Sequence, residues 1–138
     1  MRVGKAQLGP GRLTGSAGPI DWDLWYEGRE RPLLLLPSRL YAGGFPKAKS
    51  LVPVPLAHYT GTYSIGEQTI DVTDWIGSQN HNWGREHTDR YAFGQVAGFD
   101  GEPKTFLEVA TVKAKLAGPL ATPWLTTLVL RHKGEEHS

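Results

Sequence analysis

The residue types able to do chemistry are concentrated between Asp74 and Asp100, in DWIGSQNHNWGREHTDRYAFGQVAGFD. Ser78, Gln79, Asn80, His81 and Asn82 run consecutively between Trp75 and Trp83, inside a stretch that reads as a strand. Side chains alternate across a strand, so Gln79, His81 and Trp83 share one face and Ser78, Asn80 and Asn82 the other. After a polar link from Gly84 to Thr88 the chain returns, with Asp89, Tyr91, Phe93, Gln95 and Ala97 on one face. A hairpin of this kind can set His81 and Trp83 beside Tyr91, Phe93 and Gln95. Aromatic walls with a few fixed donors and acceptors are the make-up of a pocket for a mostly apolar small molecule. Gln79, Asn80, Trp83, Tyr91, Phe93 and Gln95 are therefore the candidate ligand-binding residues.

Three groups qualify for acid–base work: His81, Asp89 and Glu108. Glu108 shares its strand face with Phe106, Ala110 and Val112. If that face points inward, the carboxyl is desolvated and its pKa rises. The blander reading has Glu108 in solvent or paired with Arg90, and His81 as a satisfied core residue. Asn82 suits a backbone-tying role, and Trp22, Trp25, Trp75 and Trp124 suit the core or its rim. His81 and His87, with Glu86, Asp74 and Asp89, form the one dense group of metal-ligand types, but their spacing matches no local zinc signature. No metal is assigned. Ser78 follows Gly77 without a glycine two positions later, so the strand-turn-helix nucleophile elbow is missing. No glycine-rich phosphate loop occurs either, and no cofactor is expected.

The elements that must position these residues read as strands. Seventeen Gly and ten Pro leave few windows for a long helix. Ile20, Trp22, Leu24 and Tyr26 alternate with polar neighbours, and Leu33 to Leu36 reads as a short strand buried on both faces and stopped by Pro37. Ser38 could cap one helical turn before Gly43-Gly44. Pro53 and Pro55 make Val52 to Leu56 an edge or a connector. His58 to Ile65 and Gln68 to Ile76 form a hairpin around Gly66-Glu67. Asp100-Gly101 is a second turn, Gly118-Pro119 a third, and Trp124 to Arg131 a last strand before a polar tail. Strands at a spacing of roughly 8–12 residues favour an all-β barrel or sandwich of about 8–10 short strands.

At 138 residues the chain is expected to be one domain, 1–138. Fifteen Lys+Arg against fourteen Asp+Glu give +1, so net charge suggests neither nucleic acid nor an anionic membrane surface as partner. Without cysteine there is no disulfide scaffold, thiol nucleophile or Cys-based metal site. No apolar run could serve as a signal peptide or membrane span, and a cytoplasmic location is the expectation.

The run Gly77-Ser78-Gln79-Asn80-His81-Asn82-Trp83-Gly84, followed by Asp89-Arg90-Tyr91-Ala92-Phe93-Gly94-Gln95, resembles the signature of the AttH/carotenoid-hydratase superfamily. These lipocalin-like proteins are related to tocopherol cyclases and fungal Diels–Alderase-type cyclases. Leu33-Leu34-Leu35-Leu36-Pro37, with Phe45-Pro46-Lys47-Ala48-Lys49, resembles the uncharacterised actinobacterial members. The resemblance runs from about Pro19 to Arg131, and His-Asn-Trp-Gly is its most specific part. It implies a lipocalin-like antiparallel β-barrel with an apolar cavity, and enzymes that protonate a double bond or shape a polyene or prenylated substrate for cyclisation. His81 and Trp83 match the family's His-x-Trp element, and Tyr91 and Phe93 its return-strand aromatics. Two departures stand out. The motif does not fix the acid, and the family usually carries two such domains where this chain has length for one. The implied partners are an apolar ligand or substrate and either a second copy of the chain or a second lipocalin-like domain. Two functions follow: a barrel that hydrates, cyclises or isomerises an apolar substrate, or a non-catalytic binding or assembly domain.

Overall fold

The computed structural model describes residues 1–117 and 120–138, so the turn expected at Gly118-Pro119 lies outside the described residues. Alternating sequence gives strands almost throughout, and the antiparallel sheets curl into a half-barrel. Three short strands open the chain: β1 (Arg2–Val3), β2 (Ala6–Gly9) and β3 (Arg12–Ala17). β4 (Ile20–Glu27) follows, then the two-residue β5 (Leu33–Leu34) and one helical turn, α1 (Arg39–Ala42). The long strands β6 (Ala48–Ile65) and β7 (Gln68–Gly84) come next. All seven strands join one sheet, in which β6 is central, flanked by β7 along one side and by β4 and β5 along the other. The second sheet holds β8 (Arg90–Phe99), β9 (Glu102–Lys113), β12 (Leu125–His132) and β13 (Glu135–His137), in the order β13-β12-β9-β8. A small separate ribbon of β10 (Lys115–Ala117) and β11 (Leu120–Ala121) lies between β9 and β12 in sequence.

The core forms where the two sheets meet. Leu33, Leu35, Val52 and Leu56 from the first pack against Phe106 and Val129 from the second. Each such side chain, fully buried, contributes about 1.5–3 kcal/mol.

Four expectations are corrected. The stretch around Pro53 and Pro55 is neither edge nor connector but the middle of β6. Its prolines sit where the pairing with β7 slips, between Leu51, Val54 and Ala57, so no ladder donor is lost. Leu33 to Leu36 is not buried on both faces: Leu33 and Leu35 are buried while Leu34 is exposed. Ser38 precedes α1 without donating or accepting a capping hydrogen bond. Most consequential, β7 and β8 do not pair as a hairpin. β7 pairs with β6 and β8 with β9, and the link after Gly84 carries the chain from one sheet to the other. The polar tail also forms a strand, β13, paired back on β12. Among the described residues no helix is long and apolar enough to cross a membrane.

Candidate functional site

Register builds the inner face of the second sheet row by row, because residues directly opposite in an antiparallel pair point to the same side. Gln95 lies opposite Glu108, and Glu108 opposite Val129. One row towards the core come Ala97, Phe106 and Arg131, and in the other direction Phe93, Ala110 and Thr127, then Tyr91, Val112 and Leu125. The face is graded along its length. Phe106 and Glu108 are 0% exposed, whereas Phe93 and Tyr91 remain 51% and 55% exposed. An apolar surface therefore runs from a closed end at Glu108 to an open aromatic end.

A buried carboxyl needs hydrogen bonds or must shed its charge. Here both pressures act. The Gln95 amide Nε2 donates to Glu108 Oε2 at 2.8 Å and faces Asn80 Oδ1 at 3.2 Å. Ser78 Oγ donates to Gln95 Oε1 at 2.6 Å and lies 3.1 Å from Asn80 Oδ1. The other carboxyl oxygen, Glu108 Oε1, is buried without a hydrogen-bond partner among the described residues. Burial pushes the Glu108 pKa up, and the Gln95 hydrogen bond offsets only part of that. Burial thus makes Glu108 hold its proton more strongly than an exposed glutamate does.

Tyr41, delivered by α1, stands beside this group. Its hydroxyl donates to the Ser50 carbonyl at 2.7 Å and accepts from the Leu36 amide at 3.3 Å. Burial raises its pKa, the backbone bonds lower it, and the neighbouring Glu108 charge adds a smaller upward push. The Tyr41 ring lies 5.9 Å from Trp83, which stacks on His81 at 5.2 Å and 25°. Trp83 is 37% exposed and His81 is exposed.

Of the residues singled out from sequence, Asn80, Gln95 and Glu108 meet in one hydrogen-bonded group. Tyr91 and Phe93 share the Gln95–Glu108 face, with Tyr91 tilted against His87 at 5.2 Å. His81 and Trp83 do not stand beside Tyr91, Phe93 and Gln95 as a hairpin would place them. Because β7 belongs to the other sheet, it meets Gln95 through its opposite face, with Ser78 and Asn80. Gln79 is half-buried opposite Val54. Asp89 is corrected as a proton donor. Its carboxylate accepts the Lys115 amide at 2.9 Å, which with the Lys115 charge holds its pKa below the usual carboxylate range. It stays ionised and ties the start of β8 to β10. Glu86 and Asp74 are likewise engaged elsewhere, with Lys47 at 2.9 Å and His58 at 2.5 Å. Sequence reasoning missed Ser78 and Tyr41. Ser78 carried a usable signal, its i, i+2 spacing to Asn80 on one strand face, whereas Tyr41 becomes relevant only through the path of the chain after β5.

No protein-family model matches the chain, and no solved structure matches it. Two curated proteins of Mycobacterium tuberculosis do, the uncharacterised proteins MT0513 and Rv0493c of two strains, each 26% identical over 84% of this chain. The chain spans about a third of the length of these relatives, the match covering 34% of each.

Proposed function

We propose that the protein holds an apolar small molecule, of polyene, isoprenoid or polyketide-like type, against the inner face of the half-barrel. One observation carries the reading: a fully buried carboxyl with a raised pKa closes an apolar face whose far end exposes Tyr91, Phe93 and Leu125. Large aromatic side chains cost free energy when left in water, and a concave apolar face with few polar groups is what such ligands fill. The resemblance of the 77–84 and 89–95 segments to lipocalin-like carotenoid hydratases supports the same ligand class.

The environment of Glu108 favours a second step, acid catalysis on the bound molecule. A neutral carboxylic acid screened from water can give its proton to a double bond. The carbocation so formed would be stabilised by the ring faces of Tyr91 and Phe93. Addition of water, or loss of a proton from a neighbouring carbon, then returns a proton to Glu108 and yields a hydrated or isomerised product.

Titration with an apolar fluorescent dye tests the binding reading. Phe93→Ala is expected to weaken dye binding by about tenfold, since a half-exposed aromatic loses its ligand contact. Trp83→Ala, on the neighbouring stack, should weaken it less. Unchanged affinity in Phe93→Ala overturns the reading. For the catalytic step, a polyene incubated with the protein in heavy water should acquire deuterium, and should not with Glu108→Gln.

A further inference from the structure

In β4 the apolar residues Ile20, Trp22, Leu24 and Tyr26 take one face, and Asp21, Asp23, Trp25 and Glu27 take the other. Register carries that second face across the neighbouring strands as hydroxyls and carboxylates, because opposite residues share a side. Asp23 stands between Thr14 of β3 and Thr62 of β6. Asp21 stands between Ser16 and Ser64, and Thr69 of β7 lies beyond Ser64. A cleft of about 240 Å³ opens here, and its lining includes Asp21, Asp23, Thr62, Ser64 and Thr69. Trp25 continues the same face past Asp23 and keeps 55% of its surface exposed.

We propose that this cleft, with Trp25 at its margin, binds a neutral carbohydrate of two or more sugar units. The site is separate from the apolar face of the second sheet and does not depend on it.

The chemistry of the lining selects the occupant. Arg12 pairs with Asp23, its Nε donating to Oδ1 at 2.9 Å and its Nη2 to Oδ2 at 2.7 Å. Asp21 is left as the carboxylate of the cleft without an ion pair among the described residues. An anion is therefore repelled, and an apolar molecule would strand the carboxylate and hydroxyls without partners. A metal ion finds no group of three ligand side chains among the described residues. An amine offers donors alone, which suits Asp21 but leaves the hydroxyl protons of Thr62, Ser64 and Thr69 unmatched. Sugar hydroxyls both donate and accept, so they satisfy the carboxylate and the three side-chain hydroxyls together.

The aromatic residue fits the same class. The Arg12 guanidinium lies 4.8 Å from the centre of the Trp25 ring, so the pair Arg12–Asp23 braces the indole. A sugar ring has an apolar C–H face, whose weakly positive hydrogens suit the negative face of an aromatic ring. Alternate residues of a strand are roughly 7 Å apart, so Asp21 and Trp25 lie about 13 Å apart along β4. That span suits one ring in the cleft and a linked ring at Trp25.

An array of neutral and acidic oligosaccharides probed with labelled protein tests this, followed by calorimetric titration with the glycan retained best. Neutral glycans should be retained, and sulfated or uronic-acid glycans should not. Asp21→Ala is expected to weaken affinity about tenfold, the loss of a hydrogen bond to a charged group. Trp25→Ala should cost a similar factor, and Thr62→Val about fivefold. All three side chains are exposed, so their replacement leaves the core intact. Apolar dye binding should be unchanged in Asp21→Ala. Retention of no neutral glycan, a preference for acidic ones, or affinity unaltered in all three variants overturns the proposal. Binding of spermidine without any glycan, lost in Asp21→Ala, overturns it as well and assigns the cleft to amines.

Discussion

Glu108 is buried beside Phe106, Ala110 and Val129 with the Gln95 amide as its one hydrogen-bond partner among the described residues, and this shapes the response of stability to pH. An unfolded glutamate titrates near ~4.3. In the folded chain burial raises that value. Between the two values the folded state holds a proton that the unfolded state has released, so stability falls as pH rises through the window. Asp23, bonded to Arg12, and Asp89, bonded to the Lys115 amide, have lowered values. What they contribute is present at neutral pH and lost as pH falls through their folded values. Urea unfolding at a series of pH values should therefore show wild-type stability declining on the alkaline side of the glutamate range, with the decline absent in Glu108→Gln. A wild-type profile parallel to that variant's would mean the carboxyl is not held neutral by the fold. The phase of β9 put Glu108 on one face with Phe106, Ala110 and Val112, and the phase of β8 put Gln95 with Tyr91 and Phe93, but alternation alone left open whether the Glu108 face turned inward or to solvent. The partners of Gln95 were not legible. Alternation divides Ser78 and Asn80 from Gln79 and His81 but does not say which set faces the core, because that depends on which strand β7 pairs with.

At the scale of elements the same limit explains the main misreading. A polar link of five residues between two strands is a sound hairpin signal, yet β7 and β8 lie in different sheets. Pairing partners are decided over the whole length of β6, whose seventeen-residue neighbour β7 follows it through three slips of register. Such a long pair must twist and bend, and it does so where glycine permits. Gly61, at a slip between β6 and β7, has φ +140 and sits so close to β4 that a Cβ would collide with the Asp23 carbonyl oxygen. Gly66, in the β6–β7 turn, has φ +62 but open space around it. Gly66→Ala thus incurs only the left-handed backbone penalty, about 1–2 kcal/mol. Gly61→Ala adds a backbone collision in the centre of the sheet and should cost more, roughly 3 kcal/mol or beyond. Chemical denaturation of the two variants checks the order. Equal losses would show that β4 can move away from β6 without consequence, and so that the curl of the first sheet is not fixed at this point.

For the whole molecule the balance between hidden and open apolar surface is the telling quantity. The cluster of Leu33, Leu35, Val52, Leu56, Phe106 and Val129 is small for a chain of 138 residues. Tyr91, Phe93, Trp124 and Leu125, by contrast, stay about half exposed. Whatever covers the open end of the inner face will therefore stabilise the fold by mass action, since it binds the folded chain and not the unfolded one. An apolar ligand at a hundred times its dissociation constant contributes about 2.7 kcal/mol. A domain of this size gains roughly 2–4 °C in melting temperature for each kcal/mol. Thermal unfolding with and without β-ionone should therefore show a rise of several degrees that saturates with ligand and is much reduced in Phe93→Ala. The alternative cover, a second copy of the chain, leaves a different mark. The melting temperature would then climb with protein concentration in the absence of ligand, and ligand would add little. A rise that follows ligand at fixed protein concentration, and is indifferent to dilution, identifies the half-barrel as a receptor for small molecules rather than half of a larger closed assembly.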